Sequence, residues 1–197
     1  PIYQAPYRAG SKAREVERIE VDRMLQEGVI EPATSEWASP VVLITKPDGS
    51  VRFCVDYRKL NALTIKDSYP LPRMDECLDS LGDATMFSTL DCNSGYWQIL
   101  MKEEDQNKTA FVTHCGVHRF KRMPFGLCNA PATFQRALDM ILAKVKWNYA
   151  LIYLDDVIVY SKAVEEHIQH VDDILTLLKN AEASLKLKKC HFFQSSV

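Results

Sequence analysis

Leu151-Ile152-Tyr153-Leu154-Asp155-Asp156-Val157-Ile158-Val159-Tyr160 sets two adjacent carboxylates inside a stretch that is otherwise aliphatic or aromatic. The β-branched and aromatic residues on either side of the acids predict two buried strands joined by a tight hairpin turn. Burying neighbouring carboxylates without a counter-charge is costly, or forces one of them to stay protonated. On this stretch alone two readings stay open: an exposed turn, where Asp is common, or a site that uses the acids.

A second acid of the same kind lies upstream. Met86-Phe87-Ser88-Thr89-Leu90-Asp91 reads as an apolar strand ending on a carboxylate. Three carboxylates at strand ends suit a hard divalent cation with oxygen ligands, where Mg²⁺ keeps several waters and shares a substrate's phosphates. Two such ions about 4 Å apart activate an attacking oxygen and stabilise a leaving one. Asp91 and Asp155 are far apart in the chain, so spacing does not bring them together. The residues by themselves mark Asp91, Asp155 and Asp156 as a candidate carboxylate metal site.

Around these segments, Ser11 to Glu27 predicts a charged helix with Ser11 as N-cap and Gly28 as stop. Val41–Thr45 and Val51–Val55 predict a β-hairpin whose tip is the Asp48-Gly49 of Lys46-Pro47-Asp48-Gly49-Ser50. Residues 56–72, with Pro70 and Pro72, read as irregular, followed by a short helix near Met74 to Leu81. Ala110–Thr113 and Val117–Met123 form an expected strand pair. Asn129-Ala130-Pro131 opens a helix whose buried face is Phe134, Leu138, Ile141 and Val145. Val164, Ile168, Val171, Leu175 and Leu178 define another amphipathic helix, and a last strand is expected from near Leu185. The order predicts an α+β layer, with helices against one face of an antiparallel sheet.

The 197 residues are 47% hydrophobic and 25% charged, with a net charge of −2. That is an ordinary globular composition, and no apolar run approaches the ~20 residues that span a bilayer. The polar N-terminus, Pro1 to Arg18, does not read as a secretory signal, and without an initiator Met it reads as a piece of a longer polypeptide. Six cysteines (Cys54, Cys77, Cys92, Cys115, Cys128, Cys190) are scattered without a CxxC pair, which favours reduced thiols in an intracellular compartment over a disulfide framework. Composition by itself does not suggest nucleic acid, which calls for a basic surface. Positive charge is local: six basic against three acidic residues in 46–73, and His118-Arg119-Phe120-Lys121-Arg122. His114 with Cys115 and His118, Cys190 with His191, and His167 with His170 lack structural-zinc spacing, and the last pair is expected on a solvated helix face.

Tyr153-Leu154-Asp155-Asp156 resembles the YxDD box of reverse transcriptases. Nearly the whole chain is similar to the polymerases of gypsy-class (Metaviridae) LTR retrotransposons. The matching segments are Phe53-Cys54-Val55-Asp56-Tyr57-Arg58-Lys59-Leu60-Asn61, Leu90-Asp91-Cys92-Asn93-Ser94-Gly95-Tyr96-Trp97-Gln98-Ile99 and Met123-Pro124-Phe125-Gly126-Leu127-Cys128-Asn129-Ala130-Pro131-Ala132-Thr133-Phe134-Gln135. One YxDD box is weak evidence; four long motifs in order are highly specific.

The resemblance implies a right-hand polymerase: residues 1–85 an N-terminal helix and fingers hairpin leading into the palm, and 86–197 the palm, with a fingers contribution near 97–130. It implies RNA-directed DNA synthesis, in which a primer 3′-hydroxyl attacks the α-phosphorus of a dNTP on an RNA or DNA template. Asp91 and Asp155 would hold two Mg²⁺ ions, replaceable by Mn²⁺, with Asp156 in support. Lys46 and Arg52 match the triphosphate ligands, Tyr96 the steric gate under the sugar, and Phe125 a position packing near it; ordinary surface or core roles compete for each. Trp97 reads as a core aromatic. Implied partners are template–primer, dNTPs and the rest of a Pol polyprotein (thumb, connection, ribonuclease H, integrase), with no membrane. The implied setting is a cytoplasmic retroelement particle, or the nucleus. Glu182 stands where relatives often carry Gly, so the helix end before it is expected to close differently. A non-catalytic nucleic-acid-binding remnant is the alternative function, and a different two-metal phosphotransferase fits the ordered motifs poorly.

Overall fold

Two stretches of short strands, separated by Pro- and Gly-containing turns, each bury one face and so each require a sheet. The computed structural model describes residues 1–47, 49 and 51–196 and divides into two units. Unit 1 is Pro1–Lys66 with Ile99–Ala130, and unit 2 is Asp67–Gln98 with the chain from Pro131 onward.

In unit 1, helix α1 (Ser11–Gln26) buries Glu17, Val21 and Met24 and covers its outer face with Arg18–Glu15 and Arg23–Glu20 ion pairs. Ser11 is the first helical residue rather than the cap; extended Gly10 precedes it with no side-chain cap bond. Gly28 ends the helix as expected: its φ is +66°, its N–H donates to Leu25 O, and Val29 N–H donates to Met24 O. Strands β1 (Ile30–Pro32), β2 (Ser39–Thr45) and β3 (Val51–Val55) follow. Helix α2 (Arg58–Leu63) then interrupts the stretch expected to be irregular. Leu60 is its buried residue and Leu63 is exposed, and six residues are too few for an apolar period to mark the helix.

The short helix α4 (Glu103–Gln106) and strands β5 (Phe111–Thr113) and β6 (Gly116–Phe120) complete unit 1, once α3 below is counted in chain order. The sheet order is β1-β6-β5-β2-β3, antiparallel except for β2 beside β5. Phe111 is its central core residue, edge-on to Phe53 at 5.6 Å and 5.3 Å from Phe120. The β2–β3 hairpin leaves this core progressively, from buried Val41 to exposed Ile44. Asp48, the expected first residue of its Asp-Gly tip, lies outside the described residues. Gly49 has φ +79° and donates its N–H to Lys46 O.

Unit 2 contains helix α3 (Met74–Leu81), strand β4 (Met86–Asp91), helix α5 (Ala130–Ile141, which enters from unit 1), strands β7 (Ala150–Tyr153) and β8 (Asp156–Ser161), helix α6 (Val164–Asn180) and strand β9 (His191–Gln194). The sheet order is β7-β8-β4-β9, antiparallel throughout. Cys77 of α3 packs with Phe87, Leu151 and Tyr160 on one face. The other face meets α6. Here the expected solvated histidines are corrected: His167 is fully buried, hydrogen-bonded to Ser88 Oγ at 2.7 Å and Ser161 Oγ at 2.8 Å. His170 shares Ser161 Oγ and stacks on Tyr149 at 3.8 Å. The buried stripe is therefore His167, Val171, Ile174 and Leu178, while Val164 and Ile168 are exposed. Hydroxyls of the sheet pair with an imidazole that hydropathy counts as polar. Helix α5 ends at Ile141, so Val145 is buried just beyond it. The final strand starts at His191 rather than Leu185, which makes a single bridge to Cys92.

Helix α6 closes on Glu182 as it would on Gly. Glu182 has φ +56°, its N–H donates to Lys179 O, and Ala183 N–H donates to Leu178 O. The expected different closure does not occur; the side chain accepts a left-handed backbone instead. Glu182→Gly should raise stability by about 0.5–1 kcal/mol, as removal of that strain outweighs the added freedom of the unfolded chain. A higher urea midpoint at unchanged slope would show it; an unchanged or lower midpoint would contradict it.

Candidate active site

Asp91 is the last residue of β4 and Asp156 the first of β8, and the two are direct cross-strand partners. Opposed residues of an antiparallel pair have Cβ atoms about 4.5–5.5 Å apart, and like charges so placed repel. The sheet register thus joins two acids that sequence spacing alone could not. Asp155 sits beside them in the two-residue turn Leu154-Asp155 that links β7 to β8, with Tyr153 paired to Asp156. Cys92 N–H reaches Asp155 O at 3.4 Å, tying the turn to the end of β4.

The turn is strained and held. Leu154 has φ +55°, a conformation costing a branched side chain about 1–2 kcal/mol. Fully buried Gln135 of α5 clamps it: Gln135 Oε1 accepts Leu154 N–H at 2.8 Å, and Nε2 donates to Ile152 O at 3.2 Å and Asp139 Oδ1 at 3.0 Å. Asp139 in turn pairs with Lys146 at 2.7 Å and accepts Tyr69 OH at 2.6 Å. Gln135 belongs to a motif quoted above, yet no sequence signal gave it this role.

Burial raises the carboxyl of Asp155 above its ordinary range, and Asp156 and Asp91 add to the effect while a hydrogen bond from Tyr96 opposes it. Asp156 shifts the same way through lost hydration and Asp91. The same field, on top of burial, pushes the Cys92 thiol up to about 12. Asp155 Oδ1 is buried with no hydrogen-bond partner, a vacancy of pairing that a hard cation would satisfy. All-oxygen carboxylate donors suit Mg²⁺ or Mn²⁺. Even so, among the described residues no three acidic, histidine or cysteine side chains are assembled as a metal cage. Asp91 is instead engaged by Lys189, whose Nζ lies 3.1 Å from Oδ2. Lys189 was missed from sequence because a contact across almost the whole second unit leaves no local pattern.

Tyr96 stands on the 3₁₀ turn Gly95–Gln98, with its ring edge-on to Phe134 at 5.6 Å. A Cβ on Gly95 would come within 2.9 Å of the Phe134 ring, so glycine permits this approach. Burial, together with Asp155, pushes the Tyr96 hydroxyl up to about 12. Asp91, Asp155, Asp156 and Tyr96 therefore share one corner of unit 2.

Lys46, Arg52 and Phe125 belong to unit 1. Lys46 and Arg52 are exposed beside the hairpin tip and on β3. Phe125 is 47% exposed. Its turn is rigid. Asn61 Nδ2 donates to Gly126 O at 2.8 Å and Asn61 Oδ1 accepts Cys128 N–H at 2.9 Å, while Asn129 donates to Ile65 O. Gly126 has φ +95° against the Tyr57 ring. Two separate motifs, 53–61 and 123–135, are thus joined through Asn61.

Residues 44–197 match the family model for reverse transcriptase (RNA-dependent DNA polymerase). The retrovirus-related Pol polyprotein from transposon 297 of Drosophila melanogaster is 44% identical over 98% of this chain, which covers 19% of that protein. The corresponding polyprotein of transposon gypsy, from the same organism, is 37% identical over 100% of the chain and 20% of its own length. The chain thus spans about a fifth of these curated relatives. Among solved structures, a foamy viral protease-reverse transcriptase in complex with double-stranded DNA is 27% identical, with a TM-score of 0.89 over 98% of this chain and 34% of that one. Another, in complex with an RNA/DNA hybrid, is 26% identical with a TM-score of 0.83, covering 96% of this chain and 25% of that one. With its strand-end acids, YxDD turn and gypsy-class relatives, the chain belongs to the reverse transcriptase family.

Proposed function

We propose that this chain is the fingers-and-palm portion of an RNA-directed DNA polymerase of a gypsy-class retrotransposon. The observation that carries this is the register that sets Asp91 opposite Asp156 with the unpartnered Asp155 oxygen beside them. The hairpin of the proposed fingers lies in unit 1, and the acids of the proposed palm lie in unit 2. Asp91 and Asp155 would hold two Mg²⁺ ions, or Mn²⁺ in their place, with Asp156 in support. Bound there, the ions would neutralise charge on the attacking and leaving oxygens of an in-line phosphoryl displacement.

The protein's own residues do the positioning. Arg52 offers a planar fork to triphosphate oxygens, and Lys46 a point charge. Tyr96, braced by Phe134 and bonded to Asp155, would lie under the sugar and collide with a 2′-hydroxyl. In unit 1, Phe125 would offer its exposed ring to a nucleotide sugar. A primer 3′-hydroxyl then attacks the α-phosphorus of a dNTP, and pyrophosphate leaves. Such a reaction asks for alignment and charge neutralisation more than covalent chemistry. Template–primer and dNTPs are the proposed substrates. The remainder of a Pol polyprotein is the proposed partner and a cytoplasmic retroelement particle the setting.

Primer extension on an RNA template with dNTPs and Mg²⁺ or Mn²⁺ tests the reaction. The wild type should extend, and the Asp155→Asn/Asp156→Asn double variant should lose extension by at least ~100-fold, the scale of losing preorganised charge stabilisation. Equal extension by both removes the acids from the chemistry. If neither extends, the longer polyprotein segment is assayed, and a dead longer protein favours the non-catalytic remnant. Tyr96→Ala should lower discrimination against ribonucleotides at least ~10-fold, the worth of an excluded contact in a pocket; unchanged discrimination would remove Tyr96 from the sugar site.

Neutralising one acid should also stabilise the metal-free protein. Asp155→Asn is expected to raise Tm by about 2–4 °C, as for ~1 kcal/mol in a chain of this size. The folded carboxyl titrates above its unfolded value, so its destabilisation is present at neutral pH and relieved as pH falls through the raised value. The gain should accordingly shrink toward acid pH. A lower Tm at neutral pH would show that Asp155 supports the fold instead.

A further inference from the structure

Resting on the metal-site proposal above, we propose that Lys189 is a resident counter-cation of the acid cluster, which a divalent ion must displace from Asp91 in order to bind. Lys189 therefore sets the metal affinity of the site. Its Nζ lies 3.1 Å from Asp91 Oδ2, with the Asp91 side chain 22% exposed and that of Lys189 60%. Its charge reaches the other two acids as well, opposing the effect of burial on both Asp155 and Asp156.

The placement is built into the backbone. Lys186 N–H donates to Asp91 O at 2.9 Å, and Leu185 bridges Cys92. The 3₁₀ turn Leu187–Lys189 follows, closed by Lys189 N–H on Lys186 O at 2.8 Å, and β9 then pairs with β4 at Thr89 and Phe87. The segment is anchored before and after the lysine to the very strand that carries Asp91. The side chain itself is 60% exposed, on a four-carbon stem.

An exposed ion pair with one carboxylate contributes little. Here the ammonium faces three mutually repelling carboxylates, in contact with Asp91 and within electrostatic reach of Asp155 and Asp156. An ammonium and a divalent ion brought to the same Asp91 carboxylate repel, so each weakens the other's hold. When the competent state is only partly populated, apparent affinity falls by that fraction.

Mn²⁺ binding, read by electron paramagnetic resonance of free Mn²⁺ and without any turnover, decides the matter. Lys189→Met should bind Mn²⁺ roughly fivefold more tightly than wild type, while Lys188→Met, which removes an equal charge from the exposed neighbour, should stay within about twofold. In EDTA, Lys189→Met should melt below Lys188→Met, and saturating Mn²⁺ should close that gap. Equal shifts in the two variants would reduce the effect to net charge and overturn the proposal. Weaker Mn²⁺ binding by Lys189→Met would overturn it too, making Lys189 a support for the bound metal. Mn²⁺ binding that Asp91→Asn leaves unchanged brings down the metal-site reading, and this proposal with it; loss of binding in Asp91→Asn without the Lys189 effect brings down this proposal alone.

Discussion

Like charges set directly across an antiparallel ladder repel, and Asp91 against Asp156 is such a pair, with Asp155 one residue away. Everything around this corner answers that repulsion. Gln135 supplies two hydrogen bonds, to Leu154 N–H and Ile152 O, that hold a left-handed Leu154. Tyr96 donates to Asp155, and Lys189 approaches Asp91. The sheet behind the acids is apolar at Leu90, Val157 and Val159, so the carboxylates cannot withdraw into it. Structure at this corner is maintained against its own electrostatics, a cost that stability by itself does not require.

Behind the acids, His167 uses hydroxyls from both strands that carry them, Ser88 on β4 and Ser161 on β8. That arrangement pins the two strands to α6 and so helps fix the register of Asp91 and Asp156. Because a single-residue slip would turn every side chain to the opposite face, register is the property the site can least spare. In unit 1 the same logic appears in Asn61, which locks the Phe125 turn from a distant helix.

Strands at 86–91 and 150–161 were legible because continuous apolar runs with β-branched residues leave few alternatives. Helix α2 was not, since its six residues are shorter than the window in which an apolar period shows. The phase of α6 was misjudged at Val164 and Ile168 because a fully buried histidine with two serine partners replaces an aliphatic residue in its stripe. Asp91, Asp155 and Asp156 were legible as candidates, and resemblance assigned their roles; only the ladder brings them together. Gln135 and Lys189 act through contacts distant in sequence, and neither residue type is unusual at its position. The two units are each discontinuous in the chain, crossing near residues 66, 98 and 130, where composition does not change.

The claim that matters most is that Asp91 and Asp155 are ligands of a divalent cation. A crystal of this protein soaked with Mn²⁺ and a dNTP, with anomalous difference density collected at the manganese edge, tests it directly. A peak touching carboxylate oxygens of both residues is expected, with Asp91 drawn away from Lys189. Manganese bound elsewhere, with the Asp91–Lys189 pair intact and no density at Asp155, would contradict it.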